Sequence, residues 1–557
     1  GNENTGLGAY ALTSNTSASG NVAVGMYASR QNQTGEGNTA VGSQALMGAF
    51  GNSHANNTAV GKDALRGTTT GTFNTSMGVA SATAITIGGY NTAIGGNALK
   101  AEDVGNGSVA VGYNALSQQN SDSDNEVTFN TAVGYGAGQV LTTAQYNTLI
   151  GAFAGDAVGL GSNTALGAEA MRYLGNGTAN TAIGEHAMFS ASGSSSSNHG
   201  DANTALGRYS MYQITNGDDN LAIGHFALGA LTTGSDNIAI GSNALDAITT
   251  TSGTVAIGHQ ALTALTVGLG NTAIGYEAGK ALGDCNNNTI LGYQAFKSAN
   301  GGEHNNTVIG QGAGASIDNA QADNNVIIGN GAGTGGAGTM VNCIYIGAEA
   351  GVASHSRNQN DNIFIGKGVA KVEWGGQCDD NVGIGSGVMS TGALNDAHGN
   401  VALGYEAMKT LTQSDNNVAI GKQALSSILA GSGGNIALGY LSGRDVNSGT
   451  YNVFIGQEAG MQQTSGSGSV NIGYYSGRVD SSSANVIIGH TAFSASNNSS
   501  SASNVIIGFE SATGINSASS EHNVIIGRGA GTGGGAQFTK NIAIGSYALD
   551  GTGANAQ

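Results

Sequence analysis

One five-residue phrase recurs along the whole chain and constrains its fold more than any other feature. Its commonest form is Asn-Thr/Val/Ile-Ala-Ile/Val/Leu-Gly, and 31 copies end at glycines from Gly8 to Gly545. The mean interval between these glycines is 17.9 residues, and 28 of the 30 intervals are 16 to 19 residues long. Repetition at such a period is typical of solenoid proteins, in which each repeat stacks on the next.

Each copy is numbered from its closing glycine, which is position 0. Position −4 is Asn in 27 of the 31 copies, and position −1 is aliphatic throughout, with Met77 as the one thioether. β-Branched residues ended by glycine predict a short strand and a turn, with the position −1 side chain buried in every coil. Asn repeated in register predicts a ladder of side-chain amides. The structural residues that represent the pattern are Asn38, Val41, Gly42, Asn91, Ile94, Gly95, Asn271, Ile274, Gly275, Asn325, Ile328, Gly329, Asn523, Ile526 and Gly527.

The fold predicted from this pattern is an all-β, parallel β-solenoid of the β-roll kind, with about 18 residues in each of about 31 coils. We expect a single continuous array over residues 1–557, about 145 Å long, with loop insertions near 118–129 and 190–202. A triangular coil would need aliphatic residues six and twelve positions beyond position −1, where Arg66 and Lys100 stand instead. A flattened, two-sided roll therefore fits better.

The side chains at positions −2 and +4 of a copy vary inversely in size. Position −2 is large in ten copies, and in eight of these ten the residue at position +4 is Gly or Ala. Leu149 with Gly155 and Phe454 with Gly460 are examples. Because a core tolerates swaps that conserve its volume, we expect the two side chains to share one space across the turn.

The strand is apolar on both of its faces, so both need a cover. The coil interior supplies one cover, and we expect a neighbouring copy of the chain to supply the other, in a homotrimer or bundle. The chain contains no proline. This fits a fold in which every coil gives its N–H groups to the coil beside it.

The phrase resembles two known kinds of repeat. Residues 108–112, 237–241 and 254–258 resemble the head repeats of trimeric autotransporter adhesins, which build a trimeric, left-handed parallel β-roll. The longer form of the motif, at residues 270–279 and 288–296, is similar to the repeat shafts of bacteriophage and large-virus tail-fibre proteins. The resemblance covers essentially the whole chain and implies a left-handed, trimeric solenoid, although the coils here are longer than those of the adhesin heads.

Charge and composition disfavour several kinds of partner. The 35 acidic and 17 basic residues give a net charge of −18, so we expect no nucleic-acid partner, which would need clustered Lys and Arg. No stretch approaches 18 continuous apolar residues, which predicts no membrane insertion. Cys285, Cys343 and Cys378 are widely spaced and odd in number, so neither a zinc site nor a disulfide framework is indicated.

Few residues suggest chemistry, and we expect no cofactor, no resident metal and no catalytic residues. The weak calcium candidate is Asp122, Asp124 and Glu126, which alternate as calcium ligands do, although a solvated acidic loop is the favoured interpretation. The ten His residues are interpreted as exposed polar side chains. Trp374 is the single tryptophan and lies in an unusual segment. We expect it to fill space in the packing, and the alternative is that it belongs to a protruding loop.

The function these observations favour is a non-enzymatic, structural and adhesive fibre. We expect an oligomeric shaft of a viral or phage tail fibre that attaches to a host receptor or glycan, located on the virion surface. The alternative is a bacterial adhesin or extracellular filament subunit at the cell surface. A polysaccharide-degrading fibre is disfavoured, because no column of paired acids recurs. Ice binding is disfavoured too, because Thr at position −3 gives way to Val and Ile in the C-terminal half, as a buried site would allow.

Overall fold

The repeated phrase forms a three-residue strand in every one of its copies. The computed structural model describes residues 1–124, 126–159, 161–190, 199–335, 338–352, 358–494, 501–515, 520–532 and 539–550. The chain divides into two compact units, Gly1–Asn271 and Thr272–Gln557, and the described residues contain no helix. Each unit is a parallel β-solenoid, which confirms the predicted fold class. A single continuous array, its handedness and its trimeric state stay predictions.

The described residues of the first unit contain fifteen strands. They are β1 Thr5–Leu7, β2 Val22–Val24, β3 Thr39–Val41, β4 Thr58–Val60, β5 Thr75–Met77, β6 Thr92–Ile94, β7 Val109–Val111, β8 Thr131–Val133, β9 Thr148–Ile150, β10 Thr164–Leu166, β11 Thr181–Ile183, β12 Thr204–Leu206, β13 Leu221–Ile223, β14 Ile238–Ile240 and β15 Val255–Ile257.

The second unit contains the remaining strands among its described residues. They are β16 Thr272–Ile274, β17 Thr289–Leu291, β18 Thr307–Ile309, β19 Val326–Ile328, β20 Met340–Val341, β21 Ile344–Ile346, β22 Gln359–Asn360, β23 Ile363–Ile365, β24 Val382–Ile384, β25 Val401–Leu403, β26 Val418–Ile420, β27 Ile436–Leu438, β28 Val453–Ile455, β29 Val470–Ile472, β30 Val486–Ile488, β31 Val505–Ile507, β32 Val524–Ile526 and β33 Ile542–Ile544.

Within each unit, the strands pair in parallel and in register with the next copy of the phrase. For example, β3 and β4 place Thr39 beside Thr58, Ala40 beside Ala59 and Val41 beside Val60. The short strands β20 and β22 form a separate parallel pair. Isolated bridges, such as those between Asn32 and Asn52 and between Trp374 and Leu394, are the other pairings seen in the described residues. The opposite side of the coil is therefore built mainly from turns.

Backbone hydrogen bonds also connect the turns of successive coils. The Gln44 N–H donates to the Met26 carbonyl at 2.9 Å, and the Leu46 N–H donates to the Ala64 carbonyl at 2.8 Å. Both residues have positive φ angles, 59° and 48°. Because the turns use their N–H groups as the strands do, a proline in either place would remove a bond between coils. The predicted use of N–H groups between neighbouring coils is therefore seen in the turns as well as in the strands.

The core is a column of small and aliphatic side chains inside each solenoid. Position −2 of the strand and positions +3 and +4 of the turn are buried, as Ala40, Ala45 and Leu46 show. Position +7 supplies a second apolar patch in many coils, for example Ile85 and Leu231, which are also buried. One coil therefore fills its interior from four positions that face one another.

The volume exchange between positions −2 and +4 is confirmed by contact. A Cβ added at Gly155 would lie 2.5 Å from the Leu149 Cδ2 atom, and one added at Gly460 would lie 2.2 Å from the Phe454 ring. Such separations are far below van der Waals contact, so the large side chain already occupies the space of the missing one. The two positions therefore act as one packing site.

The prediction that position −1 is buried in every coil is wrong for the single chain. Strand residues alternate between the two faces of a sheet, and the middle residue at position −2 is the one that faces the interior. Position −1 faces outward, so Val41, Ile94, Ile328 and Ile526 are half-buried, and Ile274 is 37% exposed. The outer face of the sheet is thus apolar and only partly covered.

Trp374 lies in the interior and not in a protruding loop. It is fully buried and contacts Phe364 edge to face, with ring centroids 6.0 Å apart. Tyr345 also stacks on Phe364, with ring centroids 5.3 Å apart. The packing interpretation of this tryptophan is confirmed.

The two predicted loop insertions fall partly outside the described residues. Residue 125 in the first and residues 191–198 in the second belong to the part of the chain that is not described. In the first insertion Val127 pairs with Asn106 of the preceding coil. The stacking on the preceding coil is therefore in place by Val127, before β8 begins at Thr131.

Candidate interaction surfaces

The predicted asparagine ladder is present and is buried. The Asn400 N–H donates to the Asn381 Oδ1 atom at 3.1 Å, and the Asn417 N–H donates to the Asn400 Oδ1 atom at 3.0 Å. The Asn400 side-chain amide also donates to Asn381 Oδ1 and to the Ser414 carbonyl, at 3.1 and 2.7 Å. The amide oxygens thus serve mainly the backbone of the next coil, which the sequence did not indicate. Asn38, Asn91, Asn271, Asn325 and Asn523 are likewise buried. Since solvent does not reach them, these residues are structural.

The outer face of the sheet is a regular surface in each unit. It consists of positions −3 and −1, and none of the strands contains a charged residue. In the first unit, Leu166 and Leu206 at position −1 are 44% and 43% exposed. In the second unit, Leu403 and Ile420 are 43% and 39% exposed. Aliphatic side chains repeated at the strand spacing of about 4.8 Å form a surface that another apolar surface can cover.

Position −3 was expected to be buried, and the structure corrects this as well. Thr39, Thr58 and Thr92 are half-buried, and Thr148 and Thr164 are exposed. The reason is the same alternation that turns position −1 outward. In the second unit most equivalent residues, from Val326 to Ile542, are Val or Ile. A row that changes from Thr to Val and Ile suits an apolar cover better than a hydrated one.

Aromatic side chains form two columns on the turn that follows the strand in the first unit. At position +2, Tyr209 stacks on His186 and on Phe226, with ring centroids 5.1 and 4.9 Å apart. At position +5, Phe189 stacks on Tyr212 at 5.2 Å with planes 5° apart. These columns were not predicted from the sequence. Their signal is the spacing of three residues between aromatic rings in successive copies, His186 with Phe189 and Tyr209 with Tyr212.

Charged side chains border the aromatic columns. Arg172 pairs with Glu169 at 3.0 Å and lies over the Phe153 ring, 4.5 Å from its centroid. Arg208 pairs with Glu185 at 3.0 Å and lies over the Tyr209 ring. Both arginines are therefore engaged by a carboxylate and a ring within the chain itself.

The interpretation of the histidines as exposed fails for His54. Its side chain is fully buried, and this burial lowers its pKa to about 4 because the charged imidazolium is disfavoured there. His186 is half-buried between Glu169 and Glu185, at 3.3 and 3.5 Å. His225 is exposed, as expected.

Asp480 is a buried carboxyl group in the second unit. Burial raises its pKa to about 6, although hydrogen bonds from Ser482 and Asn485 oppose this change. The Ser482 N–H donates to its Oδ1 atom at 3.0 Å, and the Asn485 amide donates to its Oδ2 atom at 2.8 Å. The carboxyl group stands at position +7, which holds an aliphatic side chain in many other coils and a polar one, such as Glu102 or Gln463, in several.

The structure does not bring Asp122, Asp124 and Glu126 together as a calcium site. Asp122 and Asp124 are exposed, and the Glu126 carboxylate accepts hydrogen bonds from the Asp122 N–H and the Gln145 side chain. Across the described ranges, no three His, Cys, Asp or Glu side chains form a group that could hold a metal ion. Cys285, Cys343 and Cys378 are buried and are in the thiol form, outside any disulfide.

No protein-family model matches the chain, and no curated protein is significantly similar to it. Among the residues that the structure describes, no helix has the length and apolar character that crossing a bilayer requires.

Proposed function

We propose that this protein is a non-enzymatic, oligomeric fibre protein whose solenoid coils associate with further copies through the outer face of the sheet. The observation that carries the proposal is the uncharged, half-exposed aliphatic row at position −1, which includes Leu166, Leu206 and Leu403. Covering such a row removes apolar surface from water, at about 25 cal/mol per Å². Repeated over many coils, this favourable free energy of burial becomes large.

A second copy of the chain is the partner that fits this face. Its outward side chains repeat at the same strand spacing, about 4.8 Å, so side chains of one copy can interdigitate with those of the other along the whole row. The face carries no charge, so two identical faces do not repel each other. The threefold state is proposed from the resemblance of the phrase to the trimeric adhesin heads.

The proposed role is the shaft of a viral or phage attachment fibre at the virion surface. The similarity of residues 270–279 to viral fibre repeats supports this setting. A bacterial surface adhesin or an extracellular filament is the alternative, and it has the same architecture. In both settings the repeated coils would hold a binding part away from the particle or cell.

Mass measurement of the full chain tests the association directly. We expect a particle of three times the chain mass of 54.8 kDa by sedimentation equilibrium. The double variant Leu166→Glu/Leu206→Glu should weaken association, because it places two charges on the outer face. The control is Val267→Glu, since Val267 is also apolar, is 56% exposed and lies outside the strands. A wild-type chain that stays monomeric at micromolar concentration would refute the proposal.

A further inference from the structure

A recess interrupts the aromatic column at position +5 in the first unit. Phe189, Tyr212, Gly229 and Asp246 occupy this position in four successive coils. One face of the Tyr212 ring is covered by Phe189. On the other side stands Gly229, which has no side chain to stack on Tyr212, so the column is broken for one coil. Two strand spacings, about 9.6 Å, separate the coils of Tyr212 and Asp246.

Gly229 contributes no side chain to this recess, and the Asp246 carboxylate extends into part of the space that one would occupy. A Cβ added there would lie 2.6 Å from the Asp246 Oδ1 atom and 3.2 Å from the Phe226 ring. The cavity measures about 550 Å³, and Tyr212, Gln213, His225, Phe226, Asn243 and Asp246 contribute to its lining. This volume lies within the range of small-molecule sites, about 300–1,000 Å³.

The lining combines aromatic ring faces with polar groups that can donate and accept hydrogen bonds. Tyr212 and Phe226 contribute aromatic rings, while Asn243 and Gln213 carry amides that both donate and accept hydrogen bonds. The Asp246 carboxyl is half-buried, and this burial raises its pKa, whereas the nearby His225 charge opposes the change. Neither Lys nor Arg lines the recess. An anionic ligand would therefore meet a carboxylate without a fixed cation.

We propose that this recess binds one ring of a neutral saccharide. A pyranose presents a C–H face that packs on an aromatic ring, and its edge carries hydroxyl groups that need several donors and acceptors. Tyr212 provides the ring, Asp246 accepts hydrogen bonds from hydroxyl groups, and Asn243 and Gln213 complete the polar edge. The inference rests on the attachment function proposed above and names the class of ligand for a site on that fibre.

Saturation-transfer NMR with the full chain tests the proposal. The probes are methyl glucosides, galactosides and mannosides, N-acetylglucosamine, and sialyllactose as an anionic comparison. We expect transfer to at least one neutral pyranoside, and weaker transfer to the sialic acid ring than to the neutral rings. Absence of transfer to every neutral probe would overturn the proposal.

Substitutions locate the binding. Tyr212→Ala and Asp246→Asn should each weaken binding about tenfold, through loss of ring contact and of a charged acceptor. Asp246→Asn is nearly isosteric, so it can still test the site if Tyr212→Ala disturbs the fold. The matched control is Tyr276→Ala in the second unit, where Tyr276 stacks on Tyr293 at 5.2 Å outside this recess. Unchanged binding in Asp246→Asn, or an equal loss in Tyr276→Ala, would refute the site.

Two further measurements separate the sources of the sugar and the two proposals. Vesicles that carry galactosylceramide test whether the chain binds a lipid-borne galactose, for comparison with the free methyl galactoside. Binding to either one supports the site only if the Asp246→Asn variant binds it more weakly. The masses of the same variants are measured in parallel. Lost sugar binding with unchanged mass would leave the association proposal intact, whereas a monomeric wild-type chain that binds sugar would refute association alone.

Discussion

The closing glycine of each phrase is fixed by two requirements at a single residue. Gly224 has a φ angle of +134°, and a Cβ there would lie 2.6 Å from the carbonyl carbon of Gly241 in the next coil. Few L-residues adopt that conformation, and no side chain fits between the two backbones. The invariance of the glycine therefore follows from stacking as well as from the turn.

The variant Gly224→Ala should lower the stability of its own and the adjacent coils by about 2–3 kcal/mol. Hydrogen exchange of the amides around Gly224 measures this locally, which suits a repeat protein whose coils need not unfold together. Gly253→Ala is the control, because Gly253 has a φ angle of +70° but no atom within 4 Å of an added Cβ. Equal losses in the two variants would contradict the stacking requirement.

The buried Asp480 makes stability depend on pH. Its pKa is raised to about 6 in the folded chain, so between its ordinary value of 3.8 and this value the folded state holds more protons than the unfolded state. Stability should therefore be greatest below pH 4 as far as this group is concerned, and should fall by about 3 kcal/mol as the pH rises through 6.

Denaturation of the second unit as a function of pH checks this expectation. Asp480→Asn should flatten the dependence between pH 4 and 7, because the amide does not titrate in this range. Asp318→Asn is the control, since Asp318 is exposed. A slope that persists unchanged in Asp480→Asn would assign the dependence to another group.

At the scale of the coil, packing is decided by the pair at positions −2 and +4. Leu149→Ala should cost about 2–5 kcal/mol through the cavity it leaves. Adding Gly155→Leu should recover at least about 1 kcal/mol, because it recreates the Ala and Leu pairing of coils such as that of Ala40 and Leu46. Leucine at this position already adopts positive φ, 48° at Leu46, close to the 57° of Gly155. A double-mutant cycle by denaturant unfolding measures the coupling, and simple additivity would contradict shared volume.

Much of the coil could be predicted from the sequence because its rules are local and repeated. The period predicted the stacking, and the recurrent Asn predicted the ladder. The direction of the side chains was harder. An aliphatic residue at position −1 looks internal in a sequence, yet a three-residue strand points only its middle residue inward, as Ala40 between Thr39 and Val41 shows.

The saccharide recess could not be predicted, for a different reason. It depends on Tyr212, Gly229 and Asp246, which are 17 residues apart in the sequence and meet only when the coils stack. In a chain with 96 glycines, Gly229 carries no signal of its own. Its effect appears only when its neighbours in the column are known.

At the scale of the whole molecule, successive coils are interchangeable. Deleting residues 400–416 removes one complete repeat and brings Asn417 into the place of Asn400 above Asn381. We expect this variant to fold with unchanged circular dichroism per residue, because each remaining strand keeps a neighbour in register. Deleting only residues 400–407 should unfold the local coils, since it destroys the register. Aggregation of the first variant alone would contradict interchangeability.

This in-register pairing also has a consequence for inheritance. Unequal crossing-over between two repeats of the gene adds or removes whole rungs and leaves every surviving interface intact. The number of coils in a unit can therefore change one at a time. Each such event changes the length of the stack by about 4.8 Å and leaves the interior residues of the other coils unchanged.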